Sequence, residues 1–342
     1  MRMSRSHILK REVFMMKCFA RMLPPALLAL VLMLSCVACD NTPPIGTEKD
    51  PVQGVTTDTN GEVITDKEAG STGNTSGAQD TSGTPDTPVT PTTIKLTFNG
   101  TTVSGAPEGT ITVDNNSSAF VIVKAGTYEL TGDLSNGQVR VQVAKTEKVT
   151  LILNNFTASS STTAPLYIAS ADKCTIELAA GSVNRLTDAA TYVYADPTET
   201  KPNACLYSSD DLTIKGSGSL IVQGNYNNGI GCKNDLEIKN GTITVIAPNN
   251  IVKGGDSVTI SGGSVTLSGG EDAIKTDSER QDKGFVLISE DAKVDITCMD
   301  DAIQATQSVT VESTARVTYA AAGDAVNCPG VINVAEGSMT AK

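Results

Sequence analysis

Five short segments set carboxylates or carboxamides directly in front of an aliphatic residue. They are Asn227-Asn228-Gly229-Ile230, Pro248-Asn249-Asn250-Ile251, Glu271-Asp272-Ala273-Ile274, Asp300-Asp301-Ala302-Ile303 and Gly323-Asp324-Ala325-Val326. The aliphatics follow one another at steps of 21, 23, 29 and 23 residues. If the segments stack, Asn228, Asn249, Asp272, Asp301 and Asp324 form one column of oxygen donors. Bare carboxylates about 5 Å apart repel one another. A Ca2+ ion removes that repulsion, because it takes about six to eight oxygens from carboxylates, amide carbonyls, backbone carbonyls and water. Asp256, Glu271, Asp277 and Asp300 lie near enough in sequence to add ligands. A second reading needs no metal: Asp and Asn serve turn chemistry, and stacked amides hydrogen-bond along a column.

Lys233, Lys253 and Lys275 follow the repeat aliphatic by three, two and one residues. They could line a groove beside the acids and pair with uronate groups, or simply balance surface charge. Tyr226, in "GNYNNG", could stack on a sugar face. Lys275, inside "EDAIKTD", is the candidate base for a β-elimination in which Ca2+ acidifies the proton next to a uronate carboxyl. Histidine chemistry is absent, since the single histidine is His7. Cys174, Cys205, Cys232, Cys298 and Cys328 contain no CxxC, so a zinc site is not expected. They read as small core residues.

The elements that would position these residues are short strands. "DLTIKGSGSLIVQG", "DLEIKNGTITVIA", "SVTISGGSVTLSG", "GFVLISEDAKVDITC", "SVTVESTARVTYA" and "GVINVAEGSMTAK" each read apolar-x-apolar, a Gly- or Asn-type corner, then apolar-x-apolar again. Alternation turns one side of each strand inward. A repeat of 21 to 24 residues with this pattern predicts an all-β solenoid, a parallel β-helix with the aliphatic inside and its polar neighbours outside. "LYIASADKCTIEL" (166–178) reads as an earlier rung. Asn184 to Asn203 and Arg280 to Lys283 read as loops that leave a rung. Residues 94–155 lack the period and are expected to be β-strands that begin the helix and cap its open end. The final "SMTAK" stops inside a rung without an evident cap.

The segment before this domain has a different character. Residues 1–39 read as an export signal: Lys17 and Arg21 precede the apolar "MLPPALLALVLML", and "LSCVACD" ends it with small residues. Cys39 is the expected lipid-modified cysteine, with Cys36 the second choice and ordinary cleavage the alternative. Residues 40–93 are rich in Thr, Ser, Gly, Asp and Pro and are expected to be a disordered tether. The expected setting is an exported protein, lipid-anchored at the bacterial cell envelope, with residues 94–342 held off the membrane. The whole chain of 342 residues carries a formal charge of −12. Six of its 26 Lys and Arg lie before residue 40, so the rest is more acidic still. Such a charge excludes nucleic acid as a natural ligand. An acidic polysaccharide would need Ca2+ or interleaved lysines to bind.

At these residues the chain resembles a known family, the bacterial exported carbohydrate-binding domains built on a calcium-binding, pectate-lyase-like right-handed parallel β-helix. The resemblance covers about 94–342. It rests on "GTYELTGDLSNGQVRVQV", "KVTLILNNFT", "APLYIASADKCTIELAAGSVNRLTD", "LYSSDDLTIKGSGSLIVQGNYNNGIGCKNDLEIKNGTITV", "NNIVKGGDSVTISGGSVTLSGGEDAIKTD" and "DDAIQA", with Leu206 to Asp277 the most specific stretch. It implies extracellular binding of plant-type polysaccharide, acidic pectic chains in particular, with Ca2+ held by acids on successive rungs. It does not imply lyase activity. The family commonly has Asp-Gly-Ile at the repeat, whereas Asn228-Gly229-Ile230 and Asn249-Asn250-Ile251 carry Asn. Each exchange removes a formal charge, so the Asp272 to Asp324 end is the better supplied for calcium. Three functions stand: a tethered, non-catalytic carbohydrate binder, a calcium-dependent polysaccharide lyase, and a stiff surface stalk. The tether fits the binder and the stalk, the calcium-type column and interleaved lysines favour the binder and the lyase, and the binder is the expectation.

Overall fold

The computed structural model describes residues 92–115, 117–194 and 196–342. The expected signal region with Cys39 and Cys36, and nearly all of the expected tether, lie outside the described residues. Among the described residues every regular element is a β-strand. From residue 204 onward the chain runs through three strands per turn and returns beneath itself. Ala204–Ser208, Asp211–Gly216 and Ser219–Gln223 make one turn. Asn228–Cys232, Asp235–Ile238 and Thr242–Ala247 make the next. All pairings between these turns are parallel. The result is a β-helix with three faces.

Its core is a set of ladders. Leu212, Leu236, Val258, Val286 and Val309 stack on the first face. Leu220, Ile243, Val265, Val294 and Val317 stack on the second. Leu206, Ile230, Val252, Ile274 and Ile303 stack on the third. All are buried. Period-two alternation sends these side chains inward, and each buried aliphatic contributes about 1.5–3 kcal/mol. The corner between the first two faces needs a left-handed residue. Gly263, at φ 80°, supplies one, and a Cβ there would lie 2.5 Å from the Gly241 carbonyl oxygen.

Residues 94–155 begin the stack, although their period was not visible in the sequence. Ile94–Gly100 pairs in parallel with Gly126–Leu134, which pairs in parallel with Lys148–Ser159. The period was hidden because Lys148–Ser159 is one strand of 12 residues serving two faces. Its corner residue is Asn155 at φ 54° rather than a glycine. Antiparallel pairing is confined to Thr102–Ser104 on Ile94–Gly100 and Ile111–Asp114 on Ala119–Ile122, among the named strands. One expectation about the first rungs needs correction, and it concerns Asn184. It does not begin a loop but lies inside the strand Val183–Thr187, fully buried. Its carboxamide donates to Ser182 Oγ (2.9 Å) and the Ser219 carbonyl (3.0 Å), and accepts from the Phe156 amide (2.9 Å). Paired on every side, a polar residue can replace a core aliphatic.

The loop 277–284 leaves the rung as expected. Arg280 holds Asp256 (2.5 Å) and Lys283 holds Asp235 (2.7 Å). Burial pushes the Asp235 carboxyl up, but hydrogen bonds from Lys283 and Ser257 outweigh it and leave it below the ordinary aspartate value. A depressed folded-state pKa stabilises above the unfolded value, near pH 4, and that stability is lost as pH falls through the folded pKa. Acidification below about pH 4 should therefore release this loop, at a cost of about 1 kcal/mol or less per pair. Amide exchange at 278–284 should accelerate there while Ile274 and Val286 stay protected. Unchanged loop exchange would mean that the pairs do not hold it.

Four of the five cysteines behave as the core residues expected of them: Cys174, Cys205, Cys232 and Cys298 are buried and unpaired. Burial pushes the thiols of Cys174, Cys232 and Cys298 up to about 12. Cys328 is half-buried. Alkylation of the native protein should modify Cys328 well before these four, as read by peptide mass spectrometry. Equal rates would show that the rungs open together.

Candidate functional site

The strands of the third face are preceded by two polar columns. The inner one contains Asn228, Asn250, Asp272, Asp301 and Asp324. In it the Gly229 amide donates to the Asn250 carbonyl, Ile251 to Asp272, Ala273 to Asp301 and Ala302 to Asp324. The outer one contains Asn227, Asn249, Glu271, Asp300 and Gly323, joined in the same way. Asn249 therefore does not stack with Asn228 and Asp272, contrary to the sequence alignment. The segment was read one residue out of register, because Ile251 and Val252 are both buried aliphatics. Val252 is the residue that pairs with Ile230 and Ile274.

The inner column is polar yet buried from Asn228 to Asp301, with Asp324 exposed at its end, and its side chains are tied from rung to rung. Asn250 Nδ2 donates to Asn228 Oδ1 (2.9 Å). The Asp301 amide donates to Asp272 Oδ1 (3.3 Å), and the Asp324 amide to Asp301 Oδ1 (2.8 Å). Asn327 Nδ2 donates to Asp301 Oδ2 (2.7 Å). Asp272 is 4 % exposed and Asp301 6 %. Oxygens of Asp272, Asp300 and Asp301 all lie within 4.8 Å of one another. Gly323 keeps the space between them open: a Cβ there would stand 2.6 Å from Asp301 Oδ1 and 2.7 Å from Asp300 Oδ1. Asn250 Oδ1, buried one rung below Asp272, has no hydrogen-bond partner. Hard oxygens in this number and spacing suit a divalent cation such as Ca2+.

Beside the columns runs an outward-facing ladder on the third face. Its register is Arg140, Tyr167, Tyr207, Gly231, Lys253, Lys275, Gln304 and Asn327. Consecutive members are about 4.8 Å apart. Lys253 and Lys275 are thus direct neighbours, as a lysine-lined groove requires. Lys275 Nζ donates to Asp272 Oδ2 (2.8 Å), and Lys253 meets Asp277 (2.5 Å). Lys201 arrives from a neighbouring loop, with its Nζ 5.2 Å from the Tyr207 ring centre. Burial, and then the nearby Lys253 charge, lower the pKa of its ammonium. Gly231 makes room for the Tyr207 ring, since a Cβ would come within 3.1 Å of it.

Four other expected site residues fall elsewhere. Asp256 and Asp277 lie past the C-terminal ends of the third-face strands, across the ladder from the acid cluster. There Asp256 pairs with Arg280 and Asp277 with Lys253. Alternation along "VKGGD" and "IKTD" carries them one corner too far. Lys233 follows the strand Asn228–Cys232 and lies beside Gly255 at the turn, off the ladder. Tyr226 stacks on Tyr192 with ring centres 4.2 Å apart at 15°, so one of its faces is taken by protein. Arg140, Tyr167, Tyr207 and Lys201 were missed. The recurrence of Leu166-Tyr167 in Leu206-Tyr207 was the available signal for the two tyrosines.

The fold and this ladder place the chain among parallel β-helix proteins, and comparison with known proteins adds a family. Residues 116–318 match the carbohydrate-binding domain-containing protein family, and the chain belongs to that family. It is 46% identical over 219 residues to a carbohydrate-binding domain-containing protein of Acetivibrio thermocellus, a match spanning 64% of this chain and 76% of the relative. It also resembles a solved structure of a polysaccharide lyase-like protein from C. thermocellum, a gadolinium derivative. That match has a TM-score of 0.69 and 42% identity, and covers 72% of this chain and 99% of the other.

Proposed function

We propose that this protein is a non-catalytic binder of acidic, pectin-like polysaccharide, displayed outside the cell from a lipid anchor at Cys39 and the 40–93 tether. The observation that carries the reading is the register of Lys253 on Lys275 directly beside the Asp272, Asp300 and Asp301 cluster. Uronate carboxylates spaced along a chain would meet ammonium groups spaced along the ladder. A Ca2+ ion at the three aspartates would bridge protein carboxylates to sugar carboxylates, which reconciles an acidic protein with an acidic ligand. Asp272, Asp300 and Asp301 would hold it, and the open space beside Gly323 would admit it. Lys275 already donates to Asp272, so the ion and the ammonium compete for that carboxylate, and Lys275 is then released toward the ligand. The structurally similar relative was determined as a gadolinium derivative, and lanthanides seek the same hard oxygens, so Tb3+ luminescence is a direct probe of the cluster.

The test is calorimetric titration of the exported chain with polygalacturonate, with and without Ca2+, while absorbance is followed for unsaturated products. Saturable, Ca2+-dependent heat without absorbance is the expected result. Rising absorbance would instead make the protein a lyase. Lys275→Ala would then test the base expected from sequence, and Lys201→Ala would test the amine whose proton burial loosens. Absence of both signals would leave the stalk reading and return the aspartates to turn chemistry.

A further inference from the structure

A cleft of about 710 Å3 lies away from the aspartate cluster, at the other end of the ladder. Its floor is Tyr167, half-exposed, with the Arg140 guanidinium 5.9 Å from the ring centre. Its far wall presents Tyr194, Asp196, Glu199 and Lys201. We propose that this cleft is a second carbohydrate site, which binds uncharged pyranose units and complements the uronate-binding lysines. The proposal rests on the polysaccharide-binding reading and gives it a second sugar chemistry.

Three observations carry it. First, the floor is an aromatic ring with a fixed cation over it and the Tyr207 ring tilted against it, with centres 5.9 Å apart at 46°. Arg140 Nε donates to Gln138 Oε1 (2.8 Å), its Nη2 to Ser117 Oγ (3.2 Å), and its Nη1 stands 3.6 Å from Asp114. The guanidinium is therefore held in place by three protein partners. A pyranose packs its C–H face on such a ring, and its hydroxyls find donors and acceptors around the rim. Second, the wall is acidic. Thr198 donates through both its amide (2.8 Å) and its hydroxyl (2.7 Å) to Asp196 Oδ1, and these bonds hold the Asp196 carboxyl below its ordinary value. Asp196 and Glu199 offer acceptors to sugar hydroxyls, and with Asp114 the cleft's acids outnumber Arg140 and Lys201, which disfavours a uronate carboxylate. Third, the wall is pre-formed. Tyr192, on the same segment, is buried against Ala164 and Ala189, stacks on Tyr226 and donates to the buried Asp188 (2.7 Å). Tyr194 donates to the Pro202 carbonyl (2.7 Å). A wall with its own small core loses little entropy when a ligand docks.

The experiment is calorimetry of the exported chain with cellohexaose, xylohexaose and mannohexaose as neutral probes and hexagalacturonate with Ca2+ as the charged one. At least one neutral hexasaccharide should bind saturably. Tyr167→Ala should weaken it about tenfold or more, and Glu199→Gln by a smaller factor, with hexagalacturonate titrations unchanged. Asp301→Asn should do the reverse. Both Tyr167 and Glu199 are solvent-facing, and a thermal midpoint within a few degrees of the parent verifies folding. If Tyr167→Ala fails that criterion, Glu199→Gln alone decides. The proposal is overturned if no neutral probe binds, if neutral binding survives both substitutions, or if Tyr167→Ala weakens hexagalacturonate as much as the neutral sugar. Loss of hexagalacturonate binding in the parent protein would sink the acidic-ligand reading and leave the neutral cleft standing.

Discussion

At the proposed cation site, Asp301→Asn should lower Ca2+ affinity by about tenfold or more while leaving the fold intact. Asp301 is the member of the cluster that the protein itself orients on both oxygens, through the Asp324 amide and Asn327 Nδ2. An asparagine keeps an oxygen for the Asp324 amide. Its new NH2 faces the Asn327 amide, which can turn over and offer its carbonyl. Geometry is preserved, and one formal charge beside Asp272 and Asp300 is removed. Lys275→Met should act in the opposite direction. It deletes the ammonium that competes for Asp272, so the cation should bind several-fold more tightly, while uronate affinity falls because the ladder loses a charge. Tb3+ luminescence titration reads the first effect and polygalacturonate calorimetry the second. Parallel loss of both signals in Lys275→Met would show that the lysine is a structural partner of Asp272 rather than its competitor. Unchanged lanthanide affinity in Asp301→Asn would place the cation elsewhere.

Much of this site was legible in the sequence, and the misplacements have a common physical origin. Polar-polar-small-aliphatic segments identified the column, because a solenoid repeats side-chain direction from rung to rung. Register within a rung was harder. Where Ile251 and Val252 are both buried, either can be matched to Ile274, and only backbone pairing shows that Val252 is the partner. The choice moves Asn249 from the inner to the outer column, a difference between facing the core and facing solvent. Asp256 and Asp277 were misplaced because proximity in sequence spans a corner, and a corner carries a side chain to another face. Arg140, Tyr167 and Tyr207 went unseen for a different reason. Their strands precede or flank the long excursion after Thr187, which breaks the spacing that made the later rungs visible. Tyr226 looked like a sugar platform because a lone aromatic near a repeat gives no hint of a stacking partner such as Tyr192.

Ile274→Ala should cost about 2–5 kcal/mol, the largest single effect expected on stability. Ile274 is fully buried at the middle of the third-face ladder, with Val252 below and Ile303 above. Truncation leaves a cavity between rungs that cannot close, because backbone ladders on all three faces fix the rung spacing. In a solenoid each turn contacts only its neighbours, so the loss is concentrated at two interfaces. Those interfaces carry Lys253, Lys275 and the aspartate cluster, and ligand affinity should fall along with the denaturation midpoint. Ile274→Val should cost only about 0.5–1.5 kcal/mol. Val331→Ala, on the last described turn where Val331 is 65% exposed, should stay within about 0.5 kcal/mol. Urea denaturation of the three variants gives the ordering. If Ile274→Ala were no worse than Ile274→Val, the third face would be loosely packed, and the fixed spacing of Lys253 and Lys275 on which the proposed uronate recognition depends would have no rigid support.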